Sequence, residues 1–257
     1  MAIELFNNGT HKCLMFDDLV DDSGNTAVQA NQFLIVDNGH GALIDPGGNM
    51  TYNSLLMEMH NHFSRKNLDY IMASHADPDI IASINKWVLH TECKVAISKL
   101  WSRFIPHFCS AGNDMGNRVI PIPDEGMNLK LGNCEIKAVP AHFMHSEGNF
   151  QFYDPVSKIL FSGDMGASLV GHSEADTPVE NFTSHIQYME GFHRRYMVSN
   201  KINRYWANMV RQHDVEWIVP QHGRSFRGKK MVNEFLNWIE NLTCGIDNMT
   251  QEHYVMP

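Results

Sequence analysis

The sequence predicts an α/β fold with two sheets at its centre and helices outside, on three observations. Short apolar runs closed by glycine, proline or aspartate turns recur along the chain. Segments with helical spacing are interspersed among them. Histidines and aspartates stand where several of the apolar runs end. Elements of both kinds, each with one face to bury, stack as layers around a shared core.

Taken in order, Gln32–Val36 and Ala42–Asp45 read as paired strands about the turn Asp37-Asn38-Gly39-His40-Gly41. Pro46-Gly47-Gly48 ends the second, and a helix is expected over Tyr52–Met59. Leu68–Ser74 is a buried strand running into His75. Beyond Asp77-Pro78-Asp79, the helical spacing of Ile80, Ile84, Trp87 and Val88 predicts one helix, which puts His75–Asp79 on a strand-to-helix loop. Further strands are expected at Lys94–Ser98, Glu135–Val139, Asn149–Tyr153 and Ile159–Ser162. A long, mostly helical stretch follows from about Thr183 to His213, then a last strand at Glu216–Pro220 and a closing helix from Met231 to Leu242.

The 257 residues carry no repeat, low-complexity tract or linker, so one domain over 1–257 is expected. A formal charge of -9 argues against a nucleic-acid partner, because phosphate binding needs clustered Lys and Arg. Without a basic leader or an apolar run long enough for a bilayer, the expectation is a soluble, cytoplasmic protein that binds no membrane. Five dispersed cysteines with no C-x-x-C pair suit reduced thiols and disfavour a four-cysteine metal knot.

His75, Asp77 and Asp79 alternate along one turn and could converge on a point. Alone this is weak, since Asp-Pro-Asp is also ordinary cap and turn chemistry. The balance changes with His145 between two strands, Asp164 after Ile159–Phe161 and His222 after Ile218-Val219-Pro220. Four separate strand ends then each present a metal-competent side chain. Three carboxylates and three imidazoles form a mixed oxygen and nitrogen shell suited to iron, and zinc accepts the same donor types.

The ordered set His75-x-Asp77-x-Asp79, His145, Asp164, His222 resembles the metallo-β-lactamase superfamily, with its H-x-[HED]-x-D-H, H, D, H pattern, and Leu43-Ile44-Asp45-Pro46-Gly47 looks like its strand and aspartate-glycine turn. A carboxylate at the second motif position, Phe150–Tyr153 between His145 and Asp164, and Pro220-Gln221-His222-Gly223 resemble its diiron branch, the flavodiiron proteins and the stand-alone oxygen-binding diiron proteins. The resemblance implies an αββα four-layer sandwich and two iron ions. His75, Asp77 and His145 would hold one, Asp79 and His222 the other, with Asp164 bridging. Two departures stand out: Asp77 replaces the more frequent glutamate, and Ile80 stands where the full pattern has another histidine. The second metal thus has fewer protein donors. Either that opening takes a small ligand against an apolar wall of Ile80, or the site is weak, or His142 or His172 fills it; the first is preferred.

The function so implied is binding of dioxygen, or another diatomic ligand, by a sensor or carrier that a signalling protein reads. A reductase of oxygen or nitric oxide would need a separate electron donor, since no flavodoxin-like segment or flavin is expected here. A dinuclear zinc hydrolase is the remaining class, disfavoured by Asp77 and Ile80. A homodimer is expected as the commonest soluble assembly. His142 is either an orienting partner of the site or a loop residue, whereas His172 and His185 are expected to be solvated. The aromatic stretch Tyr188–Trp206 is expected to pack a core, and Arg224 follows His222 closely enough to face an anionic ligand.

Overall fold

The computed structural model describes residues 2–20, 27–109, 115–171 and 174–256. Strands β1 (Ala2–Asn7), β2 (His11–Phe16), β3 (Gln32–Asp37), β4 (His40–Ile44), β5 (Leu68–Met72), β6 (Lys94–Ser98) and β7 (Val119–Ile122) form one sheet in chain order. Its pairs are antiparallel up to β4 and parallel from there on. Parallel neighbours need crossovers, supplied in part by helices α1 (Tyr52–His60), α2 (Pro78–Ile81) and α3 (Ile84–His90). Two short helices, α4 (Lys99–Ser102) and α5 (Ile105–Phe108), follow β6.

The second sheet is built from β8 (Met127–Leu131), β9 (Cys134–Pro140), β10 (Phe150–Asp154), β11 (Ile159–Phe161), β12 (Trp217–Val219) and β13 (Phe226–Arg227), adjacent in that order. Helices α6 (Phe182–Tyr196), α7 (Asn200–Val210) and α8 (Lys229–Asn241) cover it.

Period-two alternation along β3 explains the layering. Phe33 and Ile35 enter a core shared with Phe150, Phe152 and Phe161 of the second sheet. Leu34 faces the other way, into a core with Leu55, Met59 and Trp87 of α1 and α3. A third core joins Leu160 and Ile218 to Phe235, Leu236 and Ile239 of α8. Three cores separate four layers, the αββα sandwich expected. The β3–β4 turn is tighter than the five residues expected: Asn38 and Gly39 alone turn the chain, both at positive φ, as a two-residue type I′ turn demands.

Two helical stretches that the spacing joins are broken in the structure, and each break serves the loop beside it. Between α2 and α3, the Ile80 carbonyl accepts from the Gly47 N–H (2.9 Å) and the Ser83 N–H donates to the Gly47 carbonyl (3.1 Å). The backbone groups that would continue the helix are thereby tied to the β4–α1 loop. Between α6 and α7, Met197 forms an isolated bridge with Met144, and the Val198 N–H donates to the Phe143 carbonyl (3.3 Å). Ser199 then opens α7 by accepting from the Ile202 N–H. Strands β1, β2, β7 and β8, and the short β13 after the expected last strand, complete the sheets beyond the sequence reading. No helix among the described residues is long and apolar enough to cross a membrane.

Candidate metal centre

Six side chains meet where β5, β9–β10, β11 and β12 end. His75 follows β5, is buried, and places Nδ1 2.9 Å from the Ser74 hydroxyl. The Ser74 N–H donates in turn to the buried Asp45 carboxylate (2.7 Å). Asp77 occupies the N-cap position of α2, yet its side chain makes no capping bond. It reaches across to His145 Nε2 at 2.8 Å instead. The structure thus favours the site over the cap for this Asp-Pro-Asp turn.

His145 sits on an irregular loop in which Phe143 (φ 63°) and His145 itself (φ 80°) take left-handed conformations costly for non-glycine residues. The bridge to Met197 and the Asn149 amide, which donates to the Met144 carbonyl (2.6 Å), hold that conformation. Asp164 follows β11 after Gly163, at positive φ. His222 follows β12, and its Nδ1–H donates to the Gln29 carbonyl (2.7 Å), which fixes the tautomer and aims Nε2 inward. Gly223 behind it has no room for a side chain: a Cβ would lie 2.1 Å from Ser168 Oγ.

The contacts separate into two groups that share Asp164. Its Oδ2 lies 3.9 Å from His75 Nε2 and 3.5 Å from His145 Nε2, with Asp77 Oδ2 3.7 Å from His75 Nε2. Its Oδ1 lies 3.4 Å from His222 Nε2, which is 3.6 Å from Asp79 Oδ2. One carboxylate therefore directs each oxygen at a different cluster.

The electrostatics are those of a cluster that holds positive charge. The hydrogen bond from His145, and then the nearby His75 imidazole, keep the Asp77 carboxyl well below the usual range. Burial would raise Asp164, but His222 and the neighbouring imidazoles outweigh it and bring the group to about 2. His222 shows the converse: burial opposes its charge, and Asp164 prevails, raising it to about 9. Within the cluster, His75 Nε2 and Asp164 Oδ1 are buried without a hydrogen-bond partner. Buried polar atoms left so, the first 3.9 Å from Asp164 Oδ2 and the second 3.4 Å from His222 Nε2, are what a cation would satisfy. Carboxylate and imidazole donors without thiolate suit iron. The residues fit a pair of such ions.

The remaining candidates lie elsewhere. His142 Nε2 bonds the Asp124 carbonyl (2.8 Å) and its ring packs on Phe150, so it anchors the loop. His172 falls outside the described residues. His185 is buried against Phe226, contrary to the solvated position expected, because α6 turns it toward the second sheet. Arg224 pairs with Glu174 (3.2 Å). Ile80 has no exposed surface and belongs to the helix-facing core, so it is not the exposed wall of an open position. The aromatic stretch divides: Met189 and Trp206 pack the core, while Phe192 and the exposed Tyr196 stack on each other and flank the His145 ring, at 5.8 and 5.2 Å. Ser74, Gln29 and this aromatic pair also border the site, and nothing in their residue types marks them.

An αββα sandwich with its metal-competent residues at these strand ends defines the metallo-β-lactamase fold, diiron branch. The model of the family described as "ODP family beta lactamase" matches residues 28–223, and the chain belongs to that family. A structure of the peroxy diiron species of the chemotaxis sensor ODP is 41% identical, with a TM-score of 0.85, and the match covers 96% of this chain and 97% of that one. The apo state of the chemotaxis sensor ODP from T. denticola is 39% identical (TM-score 0.82, with 96% and 97% covered). Rubredoxin oxygen:oxidoreductase from Desulfovibrio gigas, 18% identical with a TM-score of 0.75 over 93% of this chain and 62% of its own, shares the fold. An uncharacterized protein of Methanocaldococcus jannaschii is 25% identical over 219 residues, 83% of this chain and 53% of that protein, so the chain spans about half the length of this curated relative.

Proposed function

We propose that this chain is a non-haem diiron protein that binds dioxygen between its strand ends and acts as an oxygen sensor read by a signalling protein. His75, Asp77 and His145 would hold one iron and Asp79 and His222 the other, with Asp164 shared between them. The observation that carries the reading is the division of the Asp164 oxygens between two donor groups. The kinship with a chemotaxis sensor whose diiron species has been captured supports it.

When bound, the reduced iron pair supplies the electrons that dioxygen takes up. The protein's own residues determine where. The first position would draw on four side-chain donors and the second on three, which would leave more room for a small ligand beside His222 and Asp79. Asp77 and Asp79 keep 45% and 39% of their side-chain surface exposed, which leaves the mouth open to a diffusing gas. Phe192 and Tyr196 pack against the His145 ring. We assign the sensor to the cytoplasm, as one domain over 1–257 that pairs as a homodimer.

The test is metal analysis of purified protein together with spectra recorded without air and after its admission. Two irons per chain and a visible band that changes with dioxygen are expected. Colourless zinc protein, or iron protein whose spectrum ignores dioxygen, would overturn the proposal.

A further inference from the structure

At the end of the sandwich away from the mouth, a second set of metal-competent side chains is buried between the sheets. His11 opens β2, Cys13 lies two residues on, and Asp154 closes β10, the strand whose other end follows the His145 loop. All three are essentially without exposed surface. His11 Nε2 lies 2.8 Å from Asp154 Oδ2, Cys13 Sγ 3.4 Å from the same oxygen, and Cys13 Sγ 3.7 Å from His11 Nε2. On the far side of the ring, His11 Nδ1 is 3.0 Å from Asp37 Oδ1, with Cys134 adjoining this pair.

We propose that His11 Nε2, Cys13 Sγ and Asp154 Oδ2 form a second, mononuclear metal site that takes zinc. Four arguments carry it. A zinc ion about 2.0–2.3 Å from nitrogen, oxygen and thiolate donors sets tetrahedral edges of about 3.4–3.6 Å. The sulfur edges, 3.4 and 3.7 Å, come within about 0.1 Å of that range, and the nitrogen–oxygen edge would open by about half an ångström to reach it. Asp37 supplies the carboxylate–histidine pairing that makes the outer nitrogen the donor and Nε2 the ligand. A thiolate beside an imidazole favours zinc over the harder cations.

The fourth argument is access. Asp154 begins the turn to Lys158, where Pro155 and Val156 are exposed, and the Ser157 hydroxyl touches the Asp154 carboxylate from the solvent side. Bound there, the ion ties β2 of the first sheet to β10 of the second.

Thiolate ligation separates this site from the mouth, which offers no sulfur. Titration of the full chain at pH 8 with Co2+ alone is expected to raise a near-ultraviolet thiolate-to-cobalt band. The band is lost in Cys13→Ser and kept in His145→Ala and Cys93→Ser, so failure of the diiron reading would leave it untouched. X-ray absorption of the zinc-loaded wild type, which needs no variant to fold, is expected to place one sulfur about 2.3 Å from zinc. No charge-transfer band in the folded wild type, a band undiminished by Cys13→Ser, or zinc with only nitrogen and oxygen neighbours would overturn the site.

Discussion

At the scale of single residues, Asp164 governs whether the two positions act as a pair. Because its oxygens address different clusters, Asp164→Ala is expected to lower occupancy of both, whereas His222→Ala leaves the His75, Asp77 and His145 group intact. Metal analysis after dialysis separates them: about one ion per chain should survive in His222→Ala, and equal loss in both variants would argue against bridging. Orienting groups act more gently. Ser74→Ala removes the oxygen beside His75 Nδ1, and affinity at the first position should fall by roughly 10-fold, as read by competition with a chelator. The convergence of these six side chains was legible in the sequence because they follow strands and their order is a family pattern. Ser74 and Gln29 were not, since a serine hydroxyl and a backbone carbonyl gain their roles only from the fold.

At the scale of elements, α6 links the layers through His193, a histidine whose two ring nitrogens both bond the backbone. His193 is fully buried; its Nδ1–H donates to the Met189 carbonyl (2.7 Å), and Nε2 accepts from the Gly166 N–H (3.0 Å), two residues past Asp164. Burial lowers this imidazole to about 4, and burial with the Arg224 charge does the same for His185. Both values lie below the unfolded value, so the folded state binds fewer protons. The stability they confer is complete above pH 6.5 and is lost as pH falls toward 4, by about 2 kcal/mol for each at pH 5. Because His11, His75 and His222 have raised values and act in the opposite sense, the loss is read by comparison: in urea unfolding of metal-free protein at pH 7.5 and pH 5, His193→Gln should be less sensitive to acid than the wild type by about 2 kcal/mol. An unchanged pH difference in the variant would refute the assignment. The helical stretch containing α6 was legible from its periodicity. Its break at Met197 was not, because the cause is a partner in the His145 loop, distant in sequence. The same holds for α2 and α3, parted by bonds to Gly47.

For the whole molecule, the two sheets meet through an inner core in which Phe33 of the first packs on Phe161 of the second, ring centres 5.0 Å apart. Alternation made the layers legible, but not which strands face each other, since pairing across the sandwich leaves no local periodicity. The mouth residues straddle that divide: His75, Asp77 and Asp79 belong to the first sheet's loops, and His145, Asp164 and His222 to the second's. A metal pair held there must therefore stabilise the packing of sheet on sheet, through a free energy that exists only in the folded state. At a free metal concentration of 100 times the dissociation constant, one ion adds about 2.7 kcal/mol. For a chain of this size that raises the unfolding midpoint by roughly 5–10 °C. Thermal unfolding of chelated and anaerobically iron-loaded protein should differ by at least this amount, and Asp164→Ala should abolish the difference. Phe161→Ala, which empties the inner core, is expected to cost about 3–5 kcal/mol in both states and to leave the metal-dependent increment in place. An increment lost with the phenylalanine and retained without the aspartate would mean that the metal does not act through the mouth.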